Sequence, residues 1–558
     1  MPDLEVALRY YRQAIRLDQS LGASPAVEIP DIPPPLTVSN PEAQELWPLT
    51  LREAIEIALD NSGVVRRLRP SGRGFVATAA EDLAPTVYDP AEAETAIEEA
   101  LGIFDATLSM ALFWSHSRRL LNNNVAEGIV VSTGEIFERD AFGRSAAAAA
   151  GAGSLLSIQK RFATGAIISA SFDTDYDLPN LGRRLYRSAY ETTLTFTLTQ
   201  PLLRNAGIDT NRVPLIIARV RADQELWTFR QAVERLVRDV EQAYWQLSGA
   251  QRVLAAVDEA VRVHMEIVRR LQREDAEGRA DPGDLAQAQA ELARIRRMRD
   301  LALGQETGPV NTLSGLPGSI QVPGVLAAER QLRSLLGLPP SDGRRIVAVD
   351  EPTIAPIEYD WHMTLAEAFT FHPEMQRLKL EVAARRQELL FRRNQLLPEV
   401  NFFWQHTFWG LGDGFDDSVD MLTDTRFGDY TFGLQGSVTL GRRTESARLQ
   451  AAVYRLARAK ALLRDKGHEV SHVLAQMLQE LDMRAELYRK SLESLAAAKR
   501  SLEIQRERFE AGQFTIDQLL DAERAYYEAV NNEVLDRVAF QTALIEFEMA
   551  KGTILRYN

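Results

Sequence analysis

The stretch of this sequence whose residue types and spacing come nearest to covalent chemistry is His468-Glu469-Val470-Ser471-His472. Two histidines four residues apart on a helix share one face and can hold Zn2+ while a neighbouring glutamate serves as general base, as in zinc hydrolases. A catalytic zinc also needs a third ligand and a pocket. The remaining histidines, His116, His264, His362, His372 and His406, are scattered. The motif also lies inside a long coiled-coil pattern, where an internal repeat sets His468 and His472 opposite Glu234 and Arg238, positions that read as solvated. The sequence therefore predicts no enzyme, no catalytic residue, no metal site and no cofactor. It holds no cysteine, which removes disulfides, thiolate metal sites, thiol nucleophiles and a lipidated N-terminal cysteine.

The elements carrying this motif belong to a chain of 558 residues, enough for several domains or one elongated structure. A formal net charge of -14 argues against nucleic acid as a partner, because phosphate neutralisation needs clustered Lys and Arg. No run of about 18 apolar residues occurs, so a membrane role would need strands in place of helices. Met1 to Ser20 is charged, with Leu4, Leu8, Tyr11 and Ile15 at helical spacing. It reads as a helix and not as a secretory leader, so the signal of an exported protein is missing from this stretch. Ala23 to Pro48 is proline-rich and reads as an extended arm or tether.

From there the chain repeats itself. Thr50-Leu51-Arg52-Glu53-Ala54 recurs as Thr364-Leu365-Ala366-Glu367-Ala368, each predicted to open a short helix with Thr as N-cap. At a constant offset of 234 (512 minus 278), Leu236 pairs with Val470, Val240 with Leu474, Tyr244 with Leu478 and Leu247 with Leu481. Gly278 and Gly512, Leu285 and Leu519, and Ala288 and Ala522 continue the match without a gap, which marks two copies of one structural unit. Each copy is dominated by a helix of about 100 Å at 1.5 Å per residue, near 211 to 277 and 444 to 511. The seam Leu247, Ala250, Leu254, Val257, Val261, His264, Val268, Leu271 alternates by three and four, as in a coiled coil. Each long helix stops at a glycine-containing turn and a second helical pattern follows, which predicts an antiparallel hairpin. Two irregular segments set the first copy apart, Gly72 to Pro90 and Gly304 to Gly324, and their role stays open.

Between the helices lie segments of period two. Leu194, Phe196 and Leu198 alternate with Thr193, Thr195, Thr197 and Thr199; Ala106 to Trp114, Val400 to Phe408 and Tyr430 to Leu440 alternate in the same way. Strands of about 9 to 11 residues with one apolar and one polar face fit a transmembrane β-barrel, and a soluble sandwich is the alternative for any one of them. Four strands cannot close a barrel, and an open edge in lipid leaves backbone groups unpaired, so several protomers must share one. Leu155 to Phe172 either adds a hairpin or folds away from the bilayer. Leu120 to Gly153, with its Ala146 to Ala150 run, reads as an exposed loop.

This order of elements resembles the TolC-like outer membrane factor family from Leu49 to Leu555. The resemblance rests on the two repeats, on Thr199-Gln200-Pro201-Leu202-Leu203-Arg204, on Val240-Glu241-Gln242-Ala243-Tyr244-Trp245, on Leu335-Leu336-Gly337-Leu338-Pro339, and on Gly512-Gln513-Phe514-Thr515-Ile516-Asp517-Gln518-Leu519-Leu520-Asp521-Ala522. It implies an α+β membrane protein: a homotrimer with a shared barrel in the outer membrane of a Gram-negative bacterium and a periplasmic helical tunnel. Its partners would be outer membrane lipid, a periplasmic adaptor and an inner-membrane RND or ABC pump, in efflux or type I secretion. The expected organisation is an N-terminal helix and arm at 1–48, a first repeat at 49–340 and a second at 341–558. In it, strands lie near 104–117, 191–200, 399–409 and 429–441, hairpins at 211–303 and 444–551, and an inserted loop at 304–324.

In that family two aspartates three residues apart, after the second tip, face the pore; the matching positions here are Gln518 and Asp521, so one carboxylate is kept. The resemblance thus makes Asp521 a selectivity ring, which would focus negative potential on the entrance. The family's tip tyrosine falls on Phe509, which has no hydroxyl to bond Asp284, and its latch arginine on Phe514, opposite Gly283. Closure would then rest on apolar packing of Phe509 and Phe514. Gly278, Gly283 and Gly512 mark the tips where the adaptor docks. The rival reading is a trimeric coiled-coil surface protein without a channel, which needs neither lumen-facing threonines nor matched tip glycines.

Overall fold

The structure is a computed structural model that describes residues 32–557 apart from 41–44, 62, 64, 72–73, 79–84, 121–124, 127–128, 131–135, 144–154, 180–184, 278–281, 305–322, 352–358, 512 and 514–515. The expected N-terminal helix, the arm up to residue 31 and most of the inserted loop at 304–324 fall outside the described residues. The chain divides into two units, one of Met1–Ala91, Gln224–Leu378 and Leu463–Asn558, the other of Glu92–Asp223 and Lys379–Leu462.

The first unit holds most of the helical hairpins, whose two longest helices begin at residues counted with the second. Helix αA, Val213–Ala276, is followed by αB, Pro282–Gly304; αC, Arg443–Glu510, is followed by αD, Ile516–Lys551. Three of the pairs set by the repeat are buried alike, Leu236 and Val470, Val240 and Leu474, and Leu247 and Leu481, whereas Leu478, paired with the buried Tyr244, is half-buried. The seam that the spacing points to is thus the packed face of both copies. Gly467, in the interior of αC, lets that helix close on Phe369, whose ring would stand 3.0 Å from an added Cβ.

A small sheet anchors the first repeat. Strand Glu45–Leu49 runs parallel to Arg344–Ala348, with Trp47 beside Ile346. The last residues of the expected arm are therefore a strand, because Arg344–Ala348 offers them a backbone ladder that composition alone does not reveal. The buried Tyr244 ties αA to this sheet: its hydroxyl donates to the Leu49 carbonyl at 3.0 Å and accepts from the Asp350 amide at 3.1 Å. Burial pushes its pKa up to about 12, so it stays a phenol. Beside it helix Val325–Leu336 ends on Gly337 at φ 72, the left-handed cap that glycine adopts without strain. From this helix the buried Arg333 sends Nε to Glu329 at 3.0 Å and Nη2 to Asp342 at 2.9 Å and to the Arg344 carbonyl at 2.7 Å.

The paired short helices differ in their caps. Thr50 caps Leu51–Asp60 through a reciprocal bond with Glu53, as expected. Its counterpart Thr364 is a buried interior residue of helix Trp361–Phe371, which starts earlier because Asp360 accepts from the amides of His362 and Met363. Nor is Gly72 to Pro90 wholly irregular: Gly74–Thr78 pairs with Arg67–Ser71, and a helix begins at Asp89.

A further correction concerns Glu234, read as solvated and in fact 0% exposed, paired with Arg230 at 2.9 Å. Burial outweighs Arg230 and pushes its pKa up to about 7. The folded state therefore binds this proton more tightly than the unfolded chain. Its stabilising effect is complete below the ordinary carboxylate range and is lost as pH rises through about 7. Glu234→Gln should raise stability above pH 7 by about 1–3 kcal/mol and leave it nearly unchanged at pH 4, read by chemical denaturation at the two pH values.

The second unit is built on an eight-stranded sheet. Its strands run in the order Gly428–Ser437, Glu399–Gly412, Ala189–Pro201, Ile167–Pro179, Ile136–Gly143, Trp114–Leu120, while Leu156–Arg161 pairs with both Ile167–Pro179 and Ala106–Met110. Three expectations change here and one open alternative is decided. Ala106 to Trp114 breaks after Met110, where the partner strand changes from Leu156–Arg161 to Ile136–Gly143. Leu155 to Phe172 does add a hairpin, and it lies in this sheet. The stretch read as a loop from Leu120 to Gly153 contains the strand Ile136–Gly143, whose pairing is supplied by Ile167–Pro179 and not by its own alternation. The last strand stops at Ser437 and not at Leu440, ahead of the positive φ of Gly441 and Arg442.

Candidate functional site

In the second unit the site is a surface. Side chains alternate across a strand, so the register decides which residues share a face. Leu108 lies opposite Ile158, which lies opposite Ala170, opposite Phe196, opposite His406, opposite Tyr430. Two residues along, Met110, Leu156, Phe172, Leu194 and Phe408 continue one row, and Leu198, Trp404 and Phe432 another. The result is an apolar face that crosses six strands, and it is open: Leu108 is 67%, Met110 81%, Phe432 65% and Leu434 70% exposed. An exposed apolar area of this extent marks contact with lipid or another chain. The reverse face carries Ser109, Ser157, Gln159, Ser169, Ser171, Thr193, Thr195, Thr197, Gln405, Thr407 and Thr431. Thr195 and Thr407 meet there hydroxyl to hydroxyl at 3.1 Å. Among the described residues no helix is long and apolar enough to cross a membrane.

In the first unit the site is where the two hairpins meet near their turns. Gly278, Gly512 and Phe514 lie outside the described residues. Gly283 is exposed, and Asp284 is half-buried in the first turn of αB. Phe509 packs against the buried cluster that contains Val261, Val268 and Leu520, with the Arg270 guanidinium 5.5 Å over its ring. Gln518 is exposed, and Asp521, its side chain 74% exposed, reaches Arg524 one turn on at 3.3 Å.

Sequence reasoning missed the polar residues that clasp the two hairpins together. Arg524 of αD donates to Glu291 of αB at 3.2 Å, and Gln287 of αB donates to Asp517 of αD. Nε2 of His264 on αA lies 2.8 Å from a Glu523 carboxylate oxygen on αD, with both side chains at most 5% exposed. Burial alone would raise the pKa of Glu291, but hydrogen bonds from Arg294 and Arg524 outweigh it and hold the carboxyl below its ordinary value. One signal was available: His264 occupies a seam position, and a histidine there needs a buried partner. The pairings with αD carry no local spacing to read.

His468 and His472 are exposed on αC, and Lys466 holds the intervening Glu469 at 2.8 Å. Among the described residues no group of three His, Cys, Asp or Glu could hold a metal ion.

Residues 365–553 match the outer membrane efflux protein family. No curated protein matches the chain in sequence. Among solved structures, the outer membrane protein VceC of Vibrio cholerae is 15% identical over 90% of this chain and 96% of its own, with a TM-score of 0.53. The CmeC outer membrane channel of Campylobacter jejuni is 12% identical over 90% and 85%, with a TM-score of 0.54. The open state of the MtrE outer membrane channel of Neisseria gonorrhoeae is 13% identical over 91% and 90%, with a TM-score of 0.51. At these identities the likeness is one of fold, and that fold is TolC-like: long helical hairpins in two repeats, with β-strands, in an α+β chain.

Proposed function

Because the chain carries an outer membrane efflux protein domain at 365–553 and a TolC-like fold, we propose that it is one protomer of a trimeric exit duct in the outer membrane of a Gram-negative bacterium. It works as a passive conduit without chemistry of its own, in efflux or type I secretion, opened by a periplasmic adaptor that couples it to an inner-membrane pump. The observation that carries this reading is the two-sided sheet. Its apolar face suits lipid, and its threonine-rich reverse suits a water-filled lumen. The strand Gly428–Ser437 ends the sheet and exposes every residue along its length, which calls for a neighbouring copy, because lipid cannot satisfy an open edge.

In this reading the hairpin ends form the gate. Asp521 and Gln518 line the entrance, Phe509, Phe514 and Asp284 lie at the closure, and the turns at Gly278, Gly283 and Gly512 receive the adaptor. The deciding experiment joins light scattering in detergent with single-channel recording in a planar bilayer. Three protomers and a cation-preferring conductance are expected, with Asp521→Ala lowering the cation preference and abolishing block by a trivalent cation. A stable monomer without conductance overturns the duct. Unchanged selectivity and block in Asp521→Ala removes Asp521 from the gate and leaves the duct standing.

A further inference from the structure

We propose that His468 and His472 form a surface chelate for a borderline divalent transition metal, Cu2+ ahead of Zn2+, with a binding role and no hydrolytic one. The two imidazoles stand on one exposed side of αC with ring centroids 4.4 Å apart and planes at 74°. Residues four apart on a helix are neighbours on its surface, so both rings can offer a nitrogen to one ion. The backbone beneath them is fixed. Gly467 is pressed against Phe369 on the buried side of the helix, and the neighbouring Lys466 is tied to Glu374 at 2.6 Å and to Glu469 at 2.8 Å. Ordering two ligands on a helix that is already rigid costs little entropy on binding.

The donor set selects the metal. Two imidazoles in cis with the remaining positions open to water suit tetragonal Cu2+, and at a given nitrogen site Cu2+ binds more tightly than Zn2+. Zinc in a structural site wants four protein ligands, and among the described residues no third carboxylate, thiolate or imidazole completes a set. The first repeat has no counterpart to the chelate. The matching positions hold Glu234, buried against Arg230, and Arg238, bound to Asp239 at 2.7 Å. Only the second copy turns this part of the helix to solvent and places two metal-ligating side chains there.

The test is a Cu2+ titration of the full chain in detergent, followed by pulsed electron paramagnetic resonance, which counts imidazoles bound to the ion. One Cu2+ component per chain with two imidazole nitrogens is expected, displaced only by a large excess of Zn2+. His468→Ala or His472→Ala should each weaken it by about tenfold or more, and the double variant should remove it. Both side chains are exposed, so the variants should keep the wild-type circular dichroism and unfolding temperature. His362→Ala and His116→Ala, at two other exposed histidines, should leave the component intact. A two-imidazole signal that persists in the double variant, or a wild-type signal with a single imidazole, overturns the chelate. Neither result bears on conductance.

Discussion

In the proposed duct, alanine at Arg524 is expected to turn a mostly closed channel into one that opens without an adaptor. The Arg524–Glu291 bond joins αD to αB at 3.2 Å, with the carboxylate buried and the guanidinium side chain 45% exposed. A charged hydrogen bond is worth about 1.5–3 kcal/mol when buried and less when one partner is wet, so roughly 1.4 kcal/mol, or tenfold, is a fair value per protomer. If three protomers open together, the open-to-closed ratio rises by about a thousandfold. Single-channel open probability reads this directly. A double-mutant cycle with Glu291→Ala separates the clasp from the bonds each residue makes within its own helix. Open probability at the wild-type level in Arg524→Ala would show that the clasp does not hold the gate. Since the Glu291 carboxyl is held below its ordinary value, the clasp is intact above the ordinary carboxylate range and weakens as pH falls through that lowered value.

Arg333→Met should be the most destabilising single change in the first unit, costing about 3–5 kcal/mol. Arg333 is 1% exposed and is the cation shared by Glu329 and Asp342, so methionine would leave Glu329 buried without its charge partner and Asp342 with Arg344 alone. Asp342 loses water by burial, yet Arg333 and Arg344 bring its pKa down to about 2. The stability linked to Asp342 is thus present above its ordinary value and lost as pH falls toward 2. Replacing Glu329 with Leu in the same chain should recover part of the loss, because a buried ion pair exchanged for apolar groups is often neutral. Equilibrium denaturation of the solubilised protein measures both, and an Arg333→Met variant as stable as wild type would mean that the network carries no net weight.

The hairpins and the parity of the strands were legible because each is a short-range period written many times over. Leu236, Val240 and Leu247 recur as Val470, Leu474 and Leu481, and the register later places the leucines of Thr192 to Thr199 on one face with Trp404 and Phe432. What stayed hidden depends on pairs far apart in the chain. Nothing near Glu45 announces Arg344, and nothing near His264 announces Glu523. Thr364 was misread because the repeat suggested a shared cap, whereas Asp360 supplies a charged acceptor one turn earlier. Glu234 was misread because a glutamate on a helix is usually wet, and its burial depends on how αA packs in three dimensions. At the tips, the lost family latches pointed to an apolar closure around Phe509, while the structure adds Arg524–Glu291 and Gln287–Asp517, residues that the family pattern does not mark.

The strand Gly428–Ser437, paired on one side and bare on both faces, also bears on how the protein is made. An unpaired edge of this kind, with Tyr430, Phe432 and Leu434 displayed, will join any compatible strand it meets, including those of misassembled copies. A newly made chain is therefore an aggregation hazard until it is matched, and its maturation should depend steeply on chain concentration. In the proposed duct, a holdase that masks this edge before assembly, and releases it only where other copies are waiting, would be a condition of making the pore.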